Sequence, residues 1–364
     1  MTKVMGIRKR VMEKLQEGEA ALSGKKMVTG FDGFVDTMVR PIHKVATEDT
    51  PMELFETISD FADFLKSKAN KSCSVELKVD SKSIGGNMPL LSMAASTMGV
   101  NVECVGMLGE VGFVEEIFKQ LPCKLYSFAP PGTSTCFEFD DGKVMMAPTY
   151  ELNGNPWEKV LEATGGKVVK VFSEADLVAL VNWSELSFSQ FLWSETYEKV
   201  FSSQMADKSK YLLFDLCDLS RKNKKEIENV LILIGKFSSK RTGVLSLNEN
   251  EALVIGENIY DGLSDVGEIA KNLREDYEVD EIIVHGVRFT LMLTSRGVFI
   301  EDTIFVEKPV KTTGAGDNYN GALAVGLLMG LENEERVQLA HLVANFYLRK
   351  GYSPKIGDLL PDNL

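Results

Sequence analysis

Short apolar runs recur along the chain, separated by stretches in which apolar residues return with helical spacing. Met27–Phe31, Val102–Leu108, Leu177–Val181, Tyr211–Leu216, Val244–Leu247 and Glu281–Val284 read as buried strands. Helical patterns lie near 7–22, 51–69, 87–98, 111–120, 188–205, 223–236 and 263–274. Two more, at about 315–330 and 333–349, flank Gly330 near the end of the chain. Apolar strands alternating with helices predict a parallel sheet covered on both faces. Three segments break the rhythm: Val35–Val45, Ser74–Ser83 with alternating Val75, Leu77 and Val79, and Cys136–Met146 around a turn at Asp140-Asp-Gly-Lys143. Each reads as a half-buried antiparallel strand. Together they predict a small second sheet inserted into the α/β core, a lid over its active edge.

Length and charge narrow the picture. The 364 residues can bury a large core and read as a single domain over 1–364, with lid segments at about 33–46, 73–85 and 124–149. Apolar and charged fractions of 44% and 26% are those of an ordinary globular protein. A net charge of −13 argues against nucleic acid or an anionic membrane as partner, since both require a basic face. Charge interrupts the apolar residues of the N-terminus, and no run approaches the ~18 residues of a membrane span. Cys73, Cys104, Cys123, Cys136 and Cys217 are scattered without a CxxC, as expected of reduced thiols in a cytoplasmic protein. His43, His285 and His341 are too far apart in sequence to suggest zinc.

The candidate chemistry centres on Lys311-Thr-Thr-Gly-Ala-Gly-Asp-Asn-Tyr-Asn-Gly321, which opens onto an apolar helical segment. Helix N-termini offer free N–H groups and partial positive charge to anions. Gly314 and Gly316 let the backbone approach a ligand, and Asp317 stands where a carboxylate can take a proton from a hydroxyl. The combination points to phosphoryl transfer to an alcohol. Neither a dinucleotide fingerprint nor a Walker A loop is present: Tyr319 occupies the third glycine position of the first, and Gly165-Gly166-Lys167 lacks the flanking residues of the second. Four further stretches extend the constellation. Gly30-Phe-Asp-Gly-Phe-Val-Asp36 follows the first strand, where Asp32 and Asp36 could accept hydrogen bonds from sugar hydroxyls. Gly85-Gly86-Asn87 forms a tight turn that could bring amides and the Asn87 side chain to the same ligand. Asn248-x-x-Glu251 ends a strand with oxygen ligands able to hold Mg²⁺ through water. Phe214-Asp-Leu-Cys-Asp-Leu-Ser-Arg221 ends another.

In this order, these stretches resemble the ribokinase (PfkB-type) family of carbohydrate and nucleoside kinases, from about Met27 to Pro354. The family's Asp-Thr-x-Gly-Ala-Gly-Asp signature appears as Lys311-Thr-Thr-Gly-Ala-Gly-Asp317. Its Gly-Gly turn matches Gly85-Gly86, its lid strands match Gly132–Thr135, Phe137–Phe139 and the Asp141-Gly142 hairpin, and its Asn-x-x-Glu motif matches Asn248 and Glu251. Arg349-Lys-Gly351 matches the end of its last helix. The resemblance implies a ribokinase-like three-layer α/β/α core, a mostly parallel sheet and an inserted β-sheet lid. It implies a kinase that passes the γ-phosphoryl of ATP to a hydroxyl of a sugar or sugar-like substrate. Asp317 would be the base and the amides of Gly314, Ala315 and Gly316 the anion hole. Asp32, Asp36, Gly85, Gly86 and Asn87 would face the acceptor. Asn248, Thr313 and His285 would face the nucleotide, with Mg²⁺ held from the Glu251 side, through water. A homodimer through the lid is implied as well.

Three departures leave alternatives open. Lys311 stands where the family has an acid, Leu90 where it has an asparagine, and Val284-His285-Gly286 where it has a Thr-Leu-Gly-like turn. The histidine is reminiscent of ADP-dependent sugar kinases on the same fold. A nucleoside kinase, or a relative with weakened catalysis acting in binding or regulation, are the other readings. No cluster of basic residues near the lid points to a phosphorylated sugar as acceptor.

Overall fold

A computed structural model describes residues 3–47, 50–148 and 151–359. Its strands are β1 (Lys26–Phe31), β2 (Phe34–Lys44), β3 (Glu53–Leu54), β4 (Leu77–Gly85), β5 (Asn101–Gly106), β6 (Lys124–Ser127), β7 (Gly132–Phe139), β8 (Gly142–Met146), β9 (Leu177–Leu180), β10 (Tyr211–Asp215), β11 (Thr242–Asn248), β12 (Glu281–His285), β13 (Phe289–Thr294) and β14 (Gly297–Asp302). Its helices are α1 (Lys3–Leu22), α2 (Ile58–Ser67), α3 (Asn87–Thr97), α4 (Pro156–Ala163), α5 (Val168–Glu174), α6 (Ser189–Thr196), α7 (Lys224–Ser238), α8 (Glu249–Ile259), α9 (Val266–Asp276), α10 (Ala315–Leu328) and α11 (Asn333–Lys350).

Nine strands form the large sheet, in the order β14-β13-β12-β11-β10-β9-β1-β5-β6. The ladders from β12 through to β6 are parallel, and the two ladders at one edge, β12–β13 and β13–β14, are antiparallel, so that β13 alone is reversed in this sheet. Successive strand residues serve opposite faces. Val178 and Leu180 enter one core with α4, α6 and α7, while Leu177 and Ala179 enter another with α1, α3, α10 and α11. This is the doubly covered α/β arrangement that the apolar runs predict.

The small sheet has the order β3-β2-β7-β8, with β4 also paired to β2. It departs from the sequence expectation in two ways. Residues 124–127 of the expected third lid segment belong to the large sheet, where Lys124 pairs with Glu103 in a parallel ladder, and residue 149 lies outside the described residues. Nor is the small sheet wholly antiparallel: β2 and β7 run parallel from Phe34↔Gly132 to Val39↔Phe137. Helix expectations shorten as well. The 51–69 segment holds β3 and then α2, and 111–120 yields only a 3₁₀ turn at Glu116–Gln120. In 188–205, α6 passes into a π-turn at Tyr197–Phe201. β1 leads into β2 through Asp32-Gly33 alone, so the two sheets meet at the carboxyl end of the large one. Loops at that end are where open α/β sheets bind ligands.

Candidate active site

The glycine turn enters α10 as its sequence demands. Gly314 is left-handed at φ 94°, and a Cβ there would lie 2.7 Å from the Tyr347 hydroxyl. A side chain at 314 would therefore be strained and crowded. Tyr347 donates to the Thr313 carbonyl at 2.8 Å, and the Ala315 amide donates to the Thr312 carbonyl at 3.1 Å. The amides of Gly314, Gly316 and Asp317 have no partner among the described residues. The open donors are thus shifted from the expected set: Ala315 is engaged within the turn and Asp317 takes its place. Gly316 needs its small size for no protein contact, since a Cβ would lie 3.6 Å from His285 Cε1. What it keeps clear is the approach to the turn.

Asp317 is buried, and its carboxylate accepts no hydrogen bond from any described residue. Burial, and then the charges of Asp215, Asp32, Glu251 and Asp36, hold it well above the usual carboxylate range. Beside it, a cavity of about 250 Å³ is lined by Asn87, Asp215, Cys217, Asp218, Asn248, Asn250, Glu251, His285, Gly316 and Asp317. Asp215 ends β10, accepts from the Cys217 amide at 2.9 Å and Asn320 Nδ2 at 2.7 Å, and is pushed up to about 6 by burial. Glu251 is held high by burial and by Asp215. Its oxygens accept from Asn248 N at 2.9 Å and Asn248 Nδ2, while Asn248 Oδ1 accepts from Glu251 N at 2.9 Å. The Asn-x-x-Glu pair is therefore also the capping box that starts α8. Among the described residues, no three carboxylate, imidazole or thiol groups could share one metal ion.

The residues expected to face an acceptor divide into two layers. Asp32 is fully buried, with its carboxylate accepting from Asn87 N and Met88 N at 2.8 Å and Asn182 Nδ2 at 2.7 Å. It anchors the N-terminus of α3, and burial still raises it to about 7. Gly86, at φ 90°, leaves room for it: a Cβ would lie 2.6 Å from Asp32 Oδ2. Gly85 makes the same allowance for Asp36, whose carboxylate would meet its Cβ directly. Asn87 lines the acidic cavity beside Asp317, and Asp32, Gly85 and Gly86 do not. Asp36, on β2, accepts from the Ser134 hydroxyl of β7. Burial raises it, opposed by Ser134, Lys311 and Lys143. Leu90 packs toward the Gly314 turn, 3.0 Å from where a Cβ would stand.

On the other side of the turn, a cavity of about 870 Å³ runs between β12, the 303–309 segment and α11. Val287, Ile304, Phe305, Pro309, Ala344 and Leu348 give it apolar walls. It shares Asn248, Asn250, His285 and Gly316 with the acidic cavity, so the two meet beneath the turn. His285 stacks on Tyr319 at 4.7 Å, and burial lowers it to about 4, leaving a neutral ring at neutral pH. Thr313 turns away from this cavity and accepts from Lys143 Nζ of β8 at 3.4 Å. Lys311 lies half-buried beneath it, its Nζ 5.7 Å from the Tyr347 ring centroid.

The Phe214–Arg221 stretch and the Asn248–Glu251 motif contain Asp215, Asp218 and Asn250 without assigning them individual roles, because a single polar residue at a strand end has no local signature. Their only signal was position at the carboxyl ends of β10 and β11. Lys143 was read as part of a hairpin turn and nothing more.

A sequence model for a family described as prokaryotic ketohexokinase matches residues 7–361. The ketohexokinase of Haloferax volcanii is 25% identical over 344 residues, 93% of this chain and 90% of that protein. Among solved structures, Arabidopsis thaliana ribokinase complexed with ribose and ATP superposes with a TM-score of 0.61 at 14% identity, covering 92% of this chain and 97% of that one. A putative ribokinase II from E. coli in complex with ATP and Mg²⁺ gives 0.57 at 13%, covering 92% and 97%. The fold is thus ribokinase-like, with the expected large sheet and second small sheet.

Proposed function

Because the chain belongs to the prokaryotic ketohexokinase family, we propose that it transfers the γ-phosphoryl group of ATP to a hydroxyl of a ketohexose. It is a carbohydrate kinase, a phosphotransferase with an alcohol as acceptor. The observation that carries the finer reading is Asp317: a buried carboxylate with no hydrogen bond of its own, beside the free amides of Gly314, Gly316 and Asp317.

Asp317 takes the proton of the acceptor hydroxyl as that oxygen attacks phosphorus. A raised pKa suits this task, since a base works best when its pKa approaches the working pH. The free amides of the α10 turn receive the charge that accumulates on the phosphoryl oxygens. Asn87 and Asp36 hold hydroxyls of the acceptor, while Asp32 fixes the α3 turn from which Asn87 projects. The apolar cavity fits an adenine and its ribose, with His285 and Asn248 leading toward the phosphates. The Asp215, Glu251 and Asp317 carboxylates leave their mutual repulsion uncompensated, which fits a Mg²⁺ that Glu251 would hold through water. Bound there, Mg²⁺ would supply charge neutralisation. The small sheet closes over the acceptor and excludes water, the competing nucleophile. Exposed Leu77, Val79, Met145 and Met146 on that sheet support a homodimer formed through it.

The test is nucleotide consumption with ATP and ADP separately, across ketohexoses, aldohexoses, polyols and nucleosides. ATP with a ketohexose is the expected pair. Asp317→Asn should keep nucleotide affinity and lose at least ~100-fold in kcat. Near-normal turnover by that variant would remove Asp317 from the chemistry.

A further inference from the structure

Lys311 is a half-buried cation that makes no ion pair among the described residues. It opens the Lys311-Thr-Thr-Gly-Ala-Gly-Asp317 run, immediately ahead of the free amides. Burial lowers its pKa, and the Asp36 carboxylate opposes that. A second ammonium lies near enough for its charge to act on Lys311. Lys143, at the start of β8, reaches from the small sheet to Thr313 Oγ1 at 3.4 Å and is paired at 3.2 Å with Glu138. Two lysines 168 residues apart in sequence thus stand at one glycine turn, Lys143 by its contact with Thr313 and Lys311 by opening the run. Their mutual repulsion and partial burial are costs that no carboxylate in contact with Lys311 repays. An anion placed between them would repay both.

We propose that Lys311 and Lys143 clamp the transferring phosphoryl group from the small-sheet side, opposite the amides of α10. The inference rests on reading that turn as the phosphoryl site. Asp36 then has a second duty, holding Lys311 toward the cleft while Ser134 holds Asp36. The Lys143–Thr313 contact joins the small sheet to the turn, so the cation from that sheet arrives only when the sheet is down. A charge delivered by closure acts on the transition state more than on the bound nucleotide.

Lys311→Met keeps an unbranched apolar side chain at this half-buried position and removes the charge. It should be compared with Lys143→Met, with Lys311→Arg, and with Lys78→Met, an exposed small-sheet lysine paired to Asp80. Two readouts are needed: kcat and KM for both substrates, and calorimetric affinity for ADP with and without aluminium fluoride in the presence of acceptor. Lys311→Met should lower kcat by ~10- to 100-fold, hold both KM values within about threefold, and lose most of the affinity gained from fluoride while ADP alone binds as before. Lys143→Met should follow in the same direction, Lys311→Arg should recover most of the loss, and Lys78→Met should match wild type. Unchanged kcat and fluoride affinity in Lys311→Met would overturn the clamp. A rise confined to the acceptor's KM would overturn it too, by moving the cation to the acceptor. Asp317→Asn, run in parallel, separates the two ideas. If that variant turns over normally, the base assignment fails, while fluoride affinity still decides the lysines.

Discussion

Asp32→Ala asks whether the first acid after β1 serves the acceptor or the fold. The carboxylate is fully buried and receives two backbone N–H groups and one side-chain amide, all at 2.7–2.8 Å. Truncation leaves three donors without an acceptor. Each such buried donor costs ~1–3 kcal/mol, and water entering the vacated space offsets part of that, so the loss should be roughly 3–6 kcal/mol. Unfolding entropy scales with chain length, so for this chain about 0.8 kcal/mol corresponds to one degree, and the thermal midpoint should fall by roughly 4–8 °C. The assay is a thermal melt followed by circular dichroism, with KM for acceptor measured below the transition. A midpoint within about 1 °C of wild type, together with a large rise in acceptor KM, would refute the anchoring role.

Two other perturbations separate chemistry from packing. Asp215→Asn removes a negative charge that raises Asp317, so the acid limb of the kcat/KM profile should move to lower pH. An unmoved limb, read from the pH–rate profile, would break the link between the two carboxylates. Gly314→Ala should cost ~1–2 kcal/mol of stability from left-handed strain alone, whereas Gly316→Ala should stay within ~0.5 kcal/mol and still lower kcat. Urea melts and steady-state kinetics on both variants check the contrast, and equal destabilisation would count against it.

Much of the frame was legible because it obeys local rules. Leu177–Leu180 and Tyr211–Asp215 announce buried strands by being apolar on both faces, and α10 announces itself by a glycine turn and a long apolar helix. β13 and β14 were missed because Thr290, Thr294, Glu301 and Asp302 dilute their apolar signal at an edge. Asn248 and Glu251 show a different limit: the spacing that suggests a metal side is also that of a capping box. The Asp32 pattern cannot reveal that its carboxylate faces the α3 amides 55 residues on. Lys143 and Asp215 gain meaning only from neighbours distant in sequence, which no local pattern records.

The parallel pairing of β2 with β7 has a consequence for the order in which the protein is built. Asp36 and its partner Ser134 are 98 residues apart, so their ladder closes a long loop whose entropy must be met before any contact rewards it. β4, β5 and β6 all lie within that loop. During synthesis, the ribosome must release most of that span before β7 can find β2, and Lys143 follows later still. Six of the nine strands of the large sheet, β9 to β14, follow Lys143, so the small sheet can pair before the large one is complete, and the cleft waits for Asp317 after the last strand.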